Sequence, residues 1–452
     1  MRKSKLHLFS FSLMLCLSVF IFSDLHAGTA ELKCKITLLS GSMPANAILH
    51  SSADERFLAT SNIDKDGNFS FTVDVPKATL FNIRFLNINY DVLLTAAEKT
   101  MTVAFKLDGN RLADVQVEKS PEDEAYKAFR ILNMSYDLKL RNHFVSCEKT
   151  DSCERSLHGL LELYAEELTD IQKKYKGTYT AEVLCKMKMP SLAKSPKNTS
   201  EEFRKAYFDN VDFSDSTIFA TPVYRDMIGN YVDYLVEPSI SKEKEFVKFF
   251  TEKIGANPMV FSKSAGIYFD ELFRKQREKM LGMFIDWYNT GDNKVRVNNP
   301  VMDVRLKNIA KVMPGQPYLN ALGPDTTGTQ RSLKDVVDKS KCTLLLFWSS
   351  ECSHCREEMP LIIELYEKYH DKGFNVFAVS IEQDADKWKT FVKDKKLPWT
   401  NINAGRFADP NPAIQYVSVS TPTLVLIDSK GTILHRFIPK TKLEKHIAEA
   451  LK

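Results

Sequence analysis

The chain has 452 residues, of which 44% are hydrophobic and 27% are charged. This length and composition indicate a folded protein of about three domains and exclude collagen-like or low-complexity sequence. The net charge of +4 is too small, for a chain of this length, to indicate nucleic acid as a natural partner. The 8 cysteines are too few for a disulfide scaffold, so each must be judged by its neighbours.

The N-terminal residues have the order of a secretory signal. Three of residues 2–5 are basic, residues 8–22 are apolar, and small residues follow from Ala27. The apolar run is short for a membrane span. We therefore predict a signal peptide over residues 1–27 with cleavage near Ala27, and a retained anchor helix is the alternative. Export would place the mature protein where disulfides can persist.

The next region alternates apolar and polar residues with a period of two, which is typical of half-buried strands. The alternation begins at Leu32 and returns over residues 69–75, after the turn sequence Asp66-Gly67-Asn68. We predict an all-β, sandwich-like accessory domain over residues 28–118.

Past Ser120-Pro121 the apolar period becomes helical, as in the stripe that starts at Leu157. This pattern predicts an α-helical domain over residues 119–300, with the turn-rich residues 289–299 as the linker to a final domain. No polar groups converge in the helical domain, so we expect no cofactor site there.

Strands and helices alternate in the rest of the chain. Apolar runs over residues 343–347 and 375–381 predict buried strands, and residues 359–369 and 385–393 have helical spacing. Such alternation predicts an α/β domain with a central sheet, which we place over residues 306–452.

Two cysteines with the spacing C-x-x-C, Cys352 and Cys355, stand where a predicted strand turns into a helix. A C-x-x-C at such a turn is a redox motif. The first amides of the helix lack intrahelical partners and form the positive end of its dipole, which favours a thiolate at Cys352. One helical turn later, Cys355 is close enough for a disulfide and lies on the inward face. Cys352 is the predicted attacking sulfur and Cys355 the resolving sulfur.

Zinc and a purely structural disulfide are the alternatives for this pair. A structural zinc site needs two more Cys or His ligands at compatible spacing, and Cys342 and His435 are only distant candidates. A closely spaced pair at a helix start forms a reducible bond, which disfavours a purely structural role. We predict no metal and no cofactor.

Four short motifs occur in order along this domain. They are Phe347-Trp348, Cys352 to Cys355, Glu358-Met359-Pro360 and Thr421-Pro422-Thr423. Together they make residues 306–452 resemble the thioredoxin-fold proteins of the TlpA/ResA type, which are exported bacterial thiol-disulfide oxidoreductases.

The resemblance implies an enzyme that exchanges disulfides with protein substrates and is expected to act as a reductase. It implies a cis peptide at Thr421-Pro422, with substrate contacts from Trp348, Thr421 and Pro422. It also implies that Glu358 lies near the cysteines, where it could accept the proton of Cys355. The oxidised pair must be reset, so a membrane-linked thiol reductant is the implied partner, in the periplasm or bacterial cell envelope.

Three residues modify this expectation. Thioredoxins carry a buried aspartate on the strand before the motif, and the matching residue here is Leu346. Glu351 stands where the family usually has Trp, and a negative charge beside Cys352 opposes thiolate formation. The imidazole of His354, between the cysteines, stabilises the thiolate and the reduced form, which makes the pair more oxidising than thioredoxin.

The other cysteines have simpler interpretations. Cys147 and Cys153 lie in a polar stretch where a short loop could close a disulfide, and two independent surface thiols are the alternative. We expect Cys34 and Cys342 to be inert buried thiols. The sulfurs of residues 185–189 would suit Cu(I), but apolar packing at a helix end is favoured.

Two rival functions use the same features. A peroxiredoxin-like peroxidase would place its reactive cysteine at Cys352, but that family has a proline where Leu345 stands and does not usually resolve within C-x-x-C. In a cell-envelope binding protein, the β and helical regions would hold a partner and the redox site would be auxiliary. These regions are expected to present the substrate or to form a homodimer.

Overall fold

The computed structural model describes residues 28–52, 56–75, 78–118, 120–148, 150–235, 247–248, 251–255, 257–405, 411–418 and 420–452. The predicted signal peptide lies outside the described residues. The chain forms two compact units. One runs to Arg130 and includes Ile171–Glu182, and the other comprises Ile131–Asp170 and Val183–Lys452.

The first unit contains the strands of the predicted β region. In chain order they are β1 Gly28–Ser40, β2 Asn46–Ser51, β3 Phe57–Asn62, β4 Asn68–Val75, β5 Ala78–Phe85, β6 Ile88–Thr95, β7 Thr100–Asp108 and β8 Arg111–Glu118. Within the described residues they form two sheets, ordered β4-β1-β7-β8 and β3-β2-β5-β6. The period of two is visible in β4, where every second residue is buried. Buried residues from both sheets make one hydrophobic cluster.

Helices follow the β region. They are α1 Pro121–Ser146, α2 Asp151–Lys174, α3 Cys185–Lys188, α4 Thr199–Ala206, α5 Val223–Asn230, α6 Pro258–Arg274, α7 Glu278–Tyr288, α8 Asn293–Val297 and α9 Pro300–Ala310. Cys147 and Cys153 form a disulfide with a Cα–Cα distance of 6.0 Å, which joins the end of α1 to the start of α2. Cys34 and Cys342 are buried free thiols, as expected from the sequence.

The predicted linker over residues 289–299 is more structured than expected. It contains α8, whose Val297 is fully buried. Helix α9 begins directly afterwards, where the side chain of Asn299 accepts a hydrogen bond from the amide of Met302. A helix of 5 residues is too short to show a helical period, so the sequence pattern missed α8.

The C-terminal region is a sheet covered by helices on both faces. Its elements are β9 Leu322–Pro324, β10 Gln330–Ser332, α10 Leu333–Val337, β11 Cys342–Trp348, α11 Ser353–Tyr369, β12 Phe374–Ser380, α12 Ala385–Asp394, β13 Thr400–Asn403, α13 Pro412–Gln415, β14 Thr423–Asp428, β15 Ile433–Arg436 and α14 Lys440–Ala450. The described strands of the main sheet have the order β13-β12-β11-β14-β15. β11, β12 and β13 are parallel, and β14 and β15 run antiparallel to their neighbours.

The central strand β11 is buried at every position. Leu344, Leu346 and Trp348 belong to the core on one face of the sheet. Leu345 and Phe347 belong to the core on the other. Burial on both faces explains the continuous apolar run in the sequence. Because the carboxyl ends of parallel strands meet at one edge of a sheet, the segments that follow β11, β12 and β13 lie together there.

Candidate active site

Cys352 lies at the junction between the central strand and the helix that follows it. A turn leads from β11, and the amide of Cys352 donates a hydrogen bond to the carbonyl of Ser349 at 3.3 Å. Cys352 is also the N-cap of α11, and its sulfur accepts a hydrogen bond from the amide of Cys355 at 3.4 Å. A side chain at the N-cap normally satisfies one of the free amides of the first turn. Here a sulfur has that role.

The surroundings of Cys352 favour its ionised form. Partial burial raises the pKa of its thiol, but hydrogen bonds from the side chains of Thr421 and Cys355 and from the amides of Cys355 and His354 outweigh burial. The net pKa lies below the ordinary value. When protonated, the thiol donates to the carbonyl oxygen of Thr421, 3.2 Å away. The thiol of Cys352 therefore ionises more readily than that of an ordinary cysteine.

Cys355 differs from Cys352 in both its burial and the direction of its pKa shift. Its side chain is only 2% exposed, and it packs in the same core as Leu346 and Met359. Burial raises the pKa of its thiol to about 12. The thiol of Cys355 donates to the sulfur of Cys352. The pair thus has one partly exposed sulfur with a lowered pKa and one buried sulfur with a raised pKa, which is the arrangement that disulfide exchange requires.

The Thr421-Pro422 peptide bond is cis, as the resemblance implied. It lies beside the cysteines because β14 pairs with β11, with Thr423 opposite Phe347. This pairing brings the carbonyl of Thr421 to the sulfur of Cys352 although the two residues are 69 positions apart.

Trp348, for which the resemblance implied substrate contact, lies in the core. Its side chain is 0% exposed, and its ring packs against that of Phe391 with 5.3 Å between centroids. The physical reason is its position as the last residue of a strand that is buried on both faces.

The charged residues around the motif lie at its surface. Burial raises the pKa of Glu358, whereas Lys440 and His354 oppose this shift. His354 itself is exposed. The carboxylate of Glu351 forms an ion pair with the ammonium of Lys387 at 2.5 Å, which reduces the effect of its charge on Cys352.

One charged residue of this region was not predicted from the sequence. Glu382, just beyond the end of β12, is 5% exposed, and its carboxylate accepts hydrogen bonds from the amide and hydroxyl of Ser350. A glutamate directly after a predicted buried strand, at the same sheet edge as the cysteines, was the signal that could have identified it.

A metal-binding cluster and a membrane-spanning helix are two further features that would bear on function if they were present. Over the described part of the chain, no three His, Cys, Asp or Glu side chains come close enough together to hold a metal ion. None of the described helices combines the length and the apolar composition that a bilayer span requires.

We expect the two thiols to differ sharply in alkylation by iodoacetamide. Because the pKa of Cys352 is lowered, its rate of modification should rise with pH and level off below the pH at which a free cysteine, with a pKa of about 8.5, does so. Cys355 should stay unmodified at pH 7 because burial raises its pKa. Mass spectrometry of peptides from the reduced protein measures both rates, and a Cys352 profile identical to that of free cysteine would contradict this assignment.

Comparison with known proteins shows which proteins the domain with Cys352 and Cys355 is similar to. A thioredoxin-like family model matches residues 340–433. The chain is similar to a thiol-disulfide oxidoreductase ResA of Bacillus cereus, with 33% identity over 138 residues, covering 30% of this chain and 75% of the relative. It is also similar to the thiol:disulfide interchange protein CycY of Rhizobium leguminosarum bv. viciae, with 27% identity over 147 residues, covering 31% of this chain and 75% of the relative.

Among solved structures, a similar one is the thioredoxin domain of a thiol-disulfide oxidoreductase from Bacteroides vulgatus. It is 27% identical, covers 31% of this chain and 98% of its own, and has a TM-score of 0.29. The family match and the ResA relatives support the same activity. The chain therefore belongs to the thioredoxin-like thiol-disulfide oxidoreductases of the TlpA/ResA type.

Proposed function

We propose that this protein is an exported reductase of protein disulfides in which Cys352 attacks and Cys355 resolves. The observation that carries the proposal is the contrast between the two sulfurs. Cys352 has a lowered pKa at the start of α11, and Cys355 is a buried thiol that donates to it. Only the thiolate is an effective nucleophile, so this contrast sets the order of the two steps.

The reaction consists of two exchanges. The thiolate of Cys352 attacks one sulfur of the substrate disulfide, a bond forms between them, and the other substrate sulfur leaves as a thiolate. Cys355 then loses its proton and attacks the sulfur of Cys352, which releases the second substrate sulfur as a thiolate. Both substrate thiolates take up protons, the substrate has gained two electrons, and Cys352 and Cys355 end as a disulfide.

The second step requires removal of the proton from Cys355. Burial raises the pKa of Cys355 to about 12, so a base must assist. Glu358 lies one helical turn beyond Cys355, and its own pKa is raised by burial. A carboxylate with a raised pKa is a better proton acceptor, and we assign this role to Glu358.

The substrate is proposed to bind across Thr421-Pro422. The carbonyl of Thr421 is 3.2 Å from the sulfur of Cys352, so a chain that docks on this segment would have its disulfide at the nucleophile. We expect protein disulfides rather than small thiols, because the ResA and CycY relatives are a disulfide oxidoreductase and a disulfide interchange protein.

The direction of electron flow depends on the partner that resets the pair. A lowered pKa at Cys352 stabilises the reduced form, so the oxidised pair accepts electrons readily. We propose that a membrane-linked thiol reductant in the periplasm or cell envelope supplies them. The disulfide between Cys147 and Cys153 supports this location, since such bonds persist in oxidising compartments.

A trapping experiment tests the function. The Cys355→Ala variant cannot resolve the mixed disulfide, so client proteins should stay linked to Cys352 through a bond that dithiothreitol cleaves. The measurement is identification of the trapped proteins by mass spectrometry after expression in the cell envelope. The Cys352→Ser/Cys355→Ala double variant is the matched control and should trap nothing. Equal recovery from both variants, or none from the single variant, would contradict the proposal.

A further inference from the structure

Glu382 is a buried carboxylate next to the active-site turn. It is 5% exposed, and the nearby ammonium of Lys387, which feels its charge, forms its ion pair with Glu351 and not with Glu382. It is instead surrounded by hydrogen-bond donors. The amide of Ser350 donates at 3.1 Å, the hydroxyl of Ser350 also donates, and the hydroxyl of Ser380 donates at 3.4 Å.

Such a group is costly to retain for folding alone. Burying a carboxylate without a cation costs several kcal/mol, and hydrogen bonds offset only part of this. An apolar side chain that fills the same volume would often stabilise the fold as well or better. The hydrogen-bond acceptors of Glu382 are therefore expected to do something that an apolar residue does not, and the donors that they select show where Glu382 acts.

Ser350 is the residue through which Glu382 reaches the cysteines. It lies inside the turn from Ser349 to Cys352, which the bond from the Cys352 amide to the Ser349 carbonyl closes. On the other side, the guanidinium of Arg356 donates to the carbonyl of Ser350 at 3.4 Å. Glu382 and Arg356 thus hold Ser350 by its amide and its carbonyl.

Both sulfurs depend on the placement of this turn. The amide of Ser349 donates a hydrogen bond to the sulfur of Cys355. At the other end, Cys352 must sit at the N-cap of α11 for its sulfur to accept from the amide of Cys355. A shift of the turn would lengthen contacts at both sulfurs at once.

We propose that Glu382 is the positioning residue of the active-site turn, which it holds through Ser350 so that both cysteine sulfurs keep their backbone contacts. This inference rests on the proposed function of Cys352 and adds a residue to it. Glu382 touches neither sulfur, so its effect is on geometry and not on the chemical step itself.

The sign of one measurement separates this role from a purely electrostatic one. Removing a nearby negative charge would, by Coulomb's law, make the Cys352 thiolate more favourable. Loss of positioning would make it less favourable, because the amide contacts to the sulfur weaken. The two roles predict opposite shifts of the alkylation profile.

The experiment compares the pH dependence of Cys352 alkylation in the reduced full-length protein. Glu382→Ala should lower the alkylation rate at pH 7 by about tenfold, equivalent to one pKa unit. Glu382→Gln should restore a rate near that of the unaltered protein, since its amide can accept from the Ser350 amide. Ser350→Ala removes only the hydroxyl bond and should give an intermediate loss, which keeps the test informative if Glu382→Ala does not fold.

Each outcome decides the question. Faster alkylation in both Glu382 variants would show an effect of charge alone and overturn the proposal. Unchanged profiles in Glu382→Ala and Ser350→Ala, with folding confirmed by circular dichroism, would show a structural role only and also overturn it. A failure of the proposed function would give a different result. The unaltered protein would then show the Cys352 alkylation profile of a free cysteine, or Cys355→Ala would trap no client protein.

Discussion

Replacing Cys352 by serine should lower the reduction of insulin disulfides by at least a factor of about 1,000. The remaining thiol of the pair cannot substitute for it. Burial raises the pKa of the Cys355 thiol, so little of it is ionised at pH 7, and its side chain is 2% exposed. The remaining activity of Cys352→Ser should therefore be no higher than the background rate of a turbidity assay that contains a thiol reductant.

The matched controls are the other buried thiols. Cys34→Ala and Cys342→Ala each remove a buried thiol whose pKa is raised by burial. Both variants should keep the activity of the unaltered protein once folding is confirmed. If Cys352→Ser retained a tenth of the activity or more, the attacking sulfur would have to be another cysteine.

Arg436→Met should cause the second large effect, a loss of about 3–5 kcal/mol in the free energy of unfolding at pH 8. Arg436 is 2% exposed, and its guanidinium donates to the carbonyls of Tyr416 and Val417 at 2.6 and 3.1 Å. It also faces the carboxyl group of Glu278 on α7. Removing the guanidinium leaves two carbonyls without their donor and takes away the positive charge that faces the carboxyl group of Glu278. Urea unfolding measures the loss.

The loss should depend on pH because of Glu278. Burial raises the pKa of Glu278 to about 7, and Arg436 opposes that shift. A group whose folded pKa is raised contributes its stability at low pH and loses it as pH rises through the folded value. Without Arg436 the folded pKa rises further, so the deficit of Arg436→Met should be smaller at pH 5 than at pH 8.

A double variant provides the control. Glu278→Gln in the Arg436→Met background removes the carboxylate and should recover part of the stability at pH 8 but little at pH 5. An equal deficit at both pH values, unaffected by Glu278→Gln, would show that the two side chains are not coupled. The carbonyl bonds alone would then account for the whole effect of Arg436.

The contacts of Arg436 connect the helical region to the chain before Thr421-Pro422, the segment on which we propose that the substrate docks. The carbonyls that Arg436 holds belong to the chain just before Thr421-Pro422. The next residue, Phe437, meets Phe273 of α6 edge-on with 6.0 Å between ring centroids. Helices α6 and α7 thus contact Phe437 and Arg436, and Arg436 in turn bonds to the chain that leads to the segment on which we propose that the substrate docks.

Features that depend on short stretches of sequence were predictable. The C-x-x-C at a strand-to-helix turn predicted a thiolate at Cys352 and a sheltered Cys355, and the pKa directions agree. The motif around Pro422 predicted its cis bond through the resemblance. The alternation of apolar residues predicted strands such as β4. In each case the atoms that interact are close in sequence, or the pattern repeats along one element.

Other features could be decided only when distant segments met. Ser350 and Glu382 are 32 positions apart, and no local pattern links a serine in a turn to a glutamate after another strand. The pairing of Arg436 with the carbonyl of Tyr416 likewise depends on the folded chain. Trp348 was predicted to contact the substrate from the resemblance, and the two-sided burial of β11 places its side chain in the core. Sequence determined the reactive sulfurs and the fold around them, whereas tertiary packing decided which polar groups hold them in place, because burial selects partners by proximity in space.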